Sequence, residues 1–222
     1  MNLDTNLRKF LDGGPDSGGR KPNERYASFD YCFNYFQSFR ELGNISALAS
    51  PANIQVSCLQ LGFYLARWGM LRGSAELLQK SARHLTPIIE VVAGTDPSLW
   101  DLDAHCYTES NILLLCELAN TIRRVNPRMS ATLLTKIMLG VFGSVPAFDQ
   151  YFKTGCGVVG LVATFGPKAL RRISDFYRKN AAVIDAYRVP TLDFVSGEDT
   201  LRHYTRAKII DMALFIEGGG EP

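Results

Sequence analysis

Apolar positions recur with a helical period along almost the whole chain. Between Thr108 and Val125, the residues Ile112, Leu113, Leu115, Cys116, Leu118, Ala119 and Ile122 are nearly continuous, which predicts a central, mostly buried helix closed by Asn126-Pro127. The stretch Ser130 to Gly155 organises the rest. Ser130 is an N-cap for a helix whose Leu133, Leu134, Ile137, Met138 and Val141 face inward, Gly140 and Gly143 loosen its end, and Pro146 stops it. Asp149 then stands where a carboxylate caps the next short helix through Tyr151 and Phe152, so the turn delivers one rigid, semi-buried acid.

Around this stretch the pattern places further helices. Leu3, Leu7, Phe10 and Leu11 make a short amphipathic helix, followed by a Gly/Pro-rich joint from Gly13 to Pro22. Asn23 to Leu42 reads as an aromatic helix with Tyr26, Phe29, Phe33 and Phe36 along a core face. Ser50-Pro51 opens a helix to Leu65, and Arg67 to Ser74 is a glycine-flanked junction before a helix from Ala75 to about Leu85. Phe165-Gly166-Pro167 starts a basic amphipathic helix. A polar link, Pro190 to Asp199, leads to a last helix from Leu201 to Ile216, in which Lys208 and Asp211 form an intrahelical ion pair, and GGGEP is a frayed tail. Strand signals are nearly absent. The expectation is an all-α protein of roughly eight to eleven helices, with residues 1–22 an N-terminal helix and flexible joint and 23–222 a single helical domain, two lobes around a cleft near 140–150.

Composition narrows the class. With 222 residues, 46% of them hydrophobic, the chain can bury a full core, and a net charge of +2 permits nucleic-acid binding without the strong basicity of an obligate binder. The five cysteines stand singly in apolar surroundings, and the three histidines pair with none of them at ligand spacing. No metal and no cofactor are therefore expected. The opening MNLDTNLRKF has no signal-peptide core and no window approaches a membrane span, so a cytoplasmic monomer with no membrane partner is expected. No phosphate loop, nucleophile elbow or dinucleotide fingerprint occurs.

Three sets of residues carry candidate chemistry. Lys136 and Asp149 flank the central turn; the plain alternative is a solvated lysine and a helix cap. Trp68 and Arg72 lie in the junction, read either as substrate contacts or as a core ring and a surface charge. Lys168, Arg171 and Arg172 open the basic helix, as a phosphate cradle for DNA or as a solvated face.

The phrase Val145-Pro146-Ala147-Phe148-Asp149, after an apolar helix with a Gly-rich end, resembles the segment of helix-hairpin-helix DNA glycosylases that presents the catalytic aspartate. That resemblance implies a two-lobed helical fold with a cleft, Asp149 as the carboxylate that stabilises charge on the sugar, and Phe148, Trp68 and Arg72 as contacts to a flipped nucleotide. It also implies a nucleophilic lysine for bifunctional members. Lys136 precedes Leu139-Gly140-Val141-Phe142-Gly143 where the family's lysine follows its glycines, so base release without efficient strand cutting is expected. The expected function is excision of a modified or damaged base from double-stranded DNA, such as a hypermodified phage cytosine in anti-phage defence, leaving an abasic site. The alternative is a non-catalytic helical DNA- or partner-binding module of a bacterial defence or regulatory system.

Overall fold

The computed structural model describes residues 1–13, 19–71 and 76–221. Among the described residues helix makes up 66% and strand 4%, so the all-α class holds. Among the described residues the α-helices are α1 (Leu3–Asp12), α2 (Ala27–Glu41), α3 (Ile54–Leu65), α4 (Thr86–Ala93), α5 (Glu109–Val125), α6 (Ala131–Phe142), α7 (Gln150–Val158), α8 (Pro167–Ala186) and α9 (Arg206–Glu217). A two-stranded antiparallel hairpin, β1 (Pro190–Leu192) and β2 (Asp199–His203), precedes α9.

Two helices are buried along nearly their whole length, and they position everything else. In α6 every residue from Leu133 to Phe142 is buried, and in α9 every residue from Ala207 to Ile216 is buried, Lys208 and Asp211 included. α9 is wrapped by α1 through Leu3, Leu7 and Phe10, by α8 and, most closely, by α7. That last contact is nearly backbone on backbone. A Cβ added to Gly155 of α7 would lie 2.1 Å from the Leu214 carbonyl oxygen, and one added to Gly218 would lie 1.9 Å from the Tyr151 carbonyl oxygen. Only glycine permits this approach.

The N-caps of α5, α6 and α7 follow from the sequence: Thr108, Ser130 and Asp149 accept from Asn111, Leu133 and Phe152 backbone N–H groups. α6 ends on Gly143 at φ 67°, a left-handed cap. Other boundaries differ from the pattern. Ser50-Pro51 does not open α3; the Ser50 carbonyl accepts from Asn53 and Ile54 in a turn, and the helix starts at Ile54. The expected helix from Ala75 to about Leu85 is, over its described part, two short 3-10 turns, Glu76–Gln79 and Ala82–Leu85. The polar link is partly β1 and β2, because the buried Asp30 carboxylate accepts from the Leu192 backbone N–H, the Arg20 guanidinium and the Tyr204 hydroxyl and so fastens the hairpin to α2. Burial pushes Asp30 up to about 6 against the pull of Arg20. Within residues 1–22, α1 packs into the common core and the part-buried Arg20 pairs with Asp30.

Because α7 and α9 meet through bare backbone, Gly155→Ala is expected to destabilise the protein by about 1–3 kcal/mol or more through overpacking. Urea denaturation followed by circular dichroism measures this; an unchanged midpoint would mean that the two helices separate without cost.

Candidate active site

The site begins with the turn between α6 and α7, whose peptide groups are fixed by side chains from three directions. The Thr205 hydroxyl donates to the Gly143 carbonyl at 2.6 Å and Tyr107 donates to the Ser144 carbonyl. The Asp211 carboxylate accepts from the Ala147 N–H at 2.9 Å, and the Thr135 hydroxyl accepts from the Phe148 N–H at 2.8 Å. Thr132 donates to the Phe148 carbonyl at 3.0 Å. A turn so fully bonded holds Asp149 in one place, with Oδ1 accepting from Phe152 and Oδ2 left for another partner.

That partner is Lys136. Its Nζ lies 3.2 Å from Asp149 Oδ2, with side chains 4% and 14% exposed, and it also donates to the Trp68 carbonyl at 2.8 Å. The Trp68 carbonyl is free to accept because α3 does not end as a regular helix. Residues Ala66–Met70 form a wider turn in which Trp68 (φ −92°, ψ 22°) and Gly69 (φ 78°) leave helical geometry, and a positive φ at Gly69 costs glycine nothing. The indole ring of Trp68 lies 5.4 Å from the Lys136 ammonium and 4.7 Å from the Lys208 ammonium. Its Nε1–H is buried without an acceptor among the described residues. Burial lowers the Lys136 pKa, and the Asp149 charge opposes that shift without cancelling it.

Behind this pair stands a second one. Lys208 Nζ is 3.1 Å from Asp211 Oδ2 and lies over the rings of Phe29 (4.7 Å) and Phe10 (5.2 Å). The pairing at three residues' spacing follows the sequence, but it is a buried structural bridge, and burial raises the Asp211 pKa. Its carboxylate joins α9 to the Asp149 turn.

Lys136 and Asp149 face a cavity of ≈ 770 Å³, whose wall also includes Arg25, Arg67, Trp68 and Tyr151. Trp68, singled out in the junction, and the Lys136 and Asp149 of the central turn thus meet at one place. Phe148 does not join them; it is fully buried against Phe152 and Phe165, with centroids at 4.9 and 5.4 Å. Arg72 lies outside the described residues. Lys168, Arg171 and Arg172 do not line the cavity, and Arg171 makes a bidentate bond to Glu109 while Arg172 lies near Asp175. Sequence reasoning weighs Arg25, with Arg20 and Lys21, as a phosphate contact or a solvated linker charge and prefers the linker, and it takes Arg67 only as a neighbour of Trp68; the one signal for Arg67 is its place in the glycine-flanked junction.

No family model, curated protein or solved structure matches the chain. Among the described residues no cluster of three or more His, Cys, Asp or Glu side chains could hold a metal, and no helix is long and apolar enough to cross a membrane.

Asp211→Ala removes both the acceptor for Ala147 and the counter-charge of buried Lys208, so a loss of about 3–5 kcal/mol is expected. Lys208→Met combined with Asp211→Asn keeps the acceptor and removes the charge, and should recover most of that loss. Chemical denaturation of the two variants checks the coupling; equal losses would show that the ion pair is not what couples α9 to the turn.

Proposed function

We propose that the cavity is the substrate cleft of a DNA N-glycosylase-like enzyme, which flips a modified or damaged base out of duplex DNA and releases it, leaving an abasic site. The observation that carries this reading is the Lys136–Asp149 pair, nearly buried yet facing a cavity of ≈ 770 Å³ walled by an indole ring. Cavities of roughly 300–1,000 Å³ hold small ligands, and an aromatic wall suits a base removed from its stack.

Glycosidic cleavage builds positive charge on the sugar as the base departs, and a fixed carboxylate lowers the barrier by meeting that charge. Asp149 is suited to this. Its backbone is clamped, one oxygen is engaged by Phe152 N–H, and the other is aligned by Lys136. Trp68 supplies a face for the flipped base. The Lys136 ammonium is committed to the Trp68 carbonyl and to Asp149, so its role is to orient the carboxylate rather than to attack the sugar. A modified pyrimidine, hypermodified phage cytosine included, and a damaged base are both compatible with this cleft.

Asp149→Asn keeps a capping oxygen for α7 but removes the counter-charge of Lys136, so some stability is lost; in the variant shown folded by circular dichroism, base release from a panel of modified duplexes should fall below detection. A folded variant that still produces abasic sites would remove Asp149 from the mechanism. If the wild-type chain binds duplex DNA and releases no base from the panel, a binding module is the better reading.

Lys136 gives a pH signature. Because burial holds its pKa below the ordinary 10.5, the ammonium that aligns Asp149 is lost as pH rises, and the alkaline decline of base release should begin below that value. Borohydride reduction during turnover should trap no covalent adduct. An adduct that disappears in Lys136→Gln would make Lys136 the nucleophile.

A further inference from the structure

We infer that Arg25 and Arg67 form a phosphate clamp on the rim of the cavity, holding the phosphate of a nucleotide whose base enters toward Lys136 and Asp149. This rests on the cavity being the substrate site, and it places the phosphate contacts on the rim instead of on the basic helix α8.

The pairing of the arginines distinguishes these two. Arg20, Arg40, Arg171, Arg178, Arg202 and Arg206 are each bonded to a carboxylate, of Asp30, Asp101, Glu109, Asp175, Glu41 and Asp185 respectively. On α8, Arg171 is therefore held by Glu109, and Arg172 and Arg178 share Asp175, so each guanidinium is engaged within the fold. Arg25 and Arg67 have no carboxylate partner among the described residues; Arg83, Arg123, Arg124, Arg128 and Arg188 have none either, but only Arg25 and Arg67 lie on the wall shared with Lys136, Asp149 and Trp68. Arg67 is exposed on the wide turn that also aims Trp68.

Arg25 is held ready. Its guanidinium packs 4.9 Å from the Tyr26 ring centroid, donates to the Tyr26 hydroxyl at 2.8 Å, and donates to the Glu221 carbonyl at 3.3 Å. Tyr26 in turn sits 5.2 Å from Trp68. A guanidinium has five donors, so two neutral acceptors fix its plane while leaving N–H groups for a phosphate. The floor of the cavity, by contrast, does not recruit an anion, because Asp149 already compensates Lys136. Three cations face two carboxylates, Asp149 and Glu221, along the whole wall, and the uncompensated charge is at the rim. An arrangement with the anion site outside and a compensated pair with an aromatic ring inside matches a nucleotide, phosphate outward and base inward.

The phosphate can belong to a DNA backbone or to a free nucleotide. Binding of a fluorescent duplex and of deoxycytidine monophosphate is measured over a salt series for the full chain, Arg67→Gln, Arg25→Gln and Arg25→Lys. For the duplex, each glutamine substitution is expected to weaken affinity by about tenfold and to make the salt slope less steep by about 0.9, while Arg25→Lys retains the slope. Loss confined to the duplex assigns the phosphate to the backbone, and loss with the mononucleotide assigns it to a free nucleotide; either supports the clamp. The Arg67 side chain is exposed, so Arg67→Gln tests the clamp without disturbing folding. Unchanged affinity and slope for both ligands in that variant would overturn the clamp, even if the wild type releases bases. An intact arginine effect without base release would instead sink the excision reading and leave the clamp standing.

Discussion

Two lysine ammonium groups are kept out of bulk water beside one indole ring, and the arrangement of the molecule around Trp68 follows from the need to compensate them. Lys136 and Lys208 come from the two most buried helices, α6 and α9. Neither helix could be buried so completely unless each ammonium had a carboxylate within reach. Asp149 and Asp211 supply these, and each is also bonded to backbone. Asp149 caps α7, and Asp211 accepts from the turn that carries Asp149. The charges, the cap and the turn are therefore one assembly. The close approach of α7 to α9 at Gly155 brings its two halves together.

Much of this assembly is local and legible as residue pattern. The Ser130 cap, the glycine end of α6, the stop at Pro146 and the Asp149 cap all depend on interactions within a few residues, which is where sequence rules are strong. The contact between Lys136 and Asp149 is different. Thirteen positions and a turn separate them, and their meeting depends on where Thr135 and Asp211 hold the intervening peptides. Periodicity carries no information about that. The same holds for Trp68, whose carbonyl reaches Lys136 only because α3 widens into a π-type turn, and a glycine-flanked tryptophan signals a break without saying which way the chain goes.

Other features escape the sequence pattern because polar residues are not always in solvent. Pro190 to His203 forms a hairpin tied to α2 by the buried Asp30, and Lys208 with Asp211 reads as a simple intrahelical pair, whose burial shows only once α1, α7 and α8 are in place around it. The final glycines are not a frayed end. Gly218 lies against the Tyr151 carbonyl with no space for a side chain, and the chain then turns so that the Glu221 carbonyl accepts from Tyr26 and Arg25 on the cavity wall. Composition could not show this, since a run of glycines in isolation signals flexibility and only the opposing backbone makes it a requirement.

The two ion pairs make the clearest division between structure and chemistry. A buried salt bridge is a poor source of stability, because desolvation of both charges offsets most of their attraction and an apolar replacement is often no worse. The Lys208–Asp211 pair still has a structural reason to exist: it is closed on all sides and its carboxylate bonds a backbone N–H that nothing apolar could satisfy. Lys136–Asp149 has no such reason. Helix α7 could be capped by an asparagine, and the Trp68 carbonyl could be satisfied by a neutral donor, yet a full ion pair stands at the edge of a polar cavity with the lysine pKa depressed. Perturbed charges cluster at functional sites, and a pair kept where stability does not require it, next to space for a ligand, is the ground on which the proposed site rests.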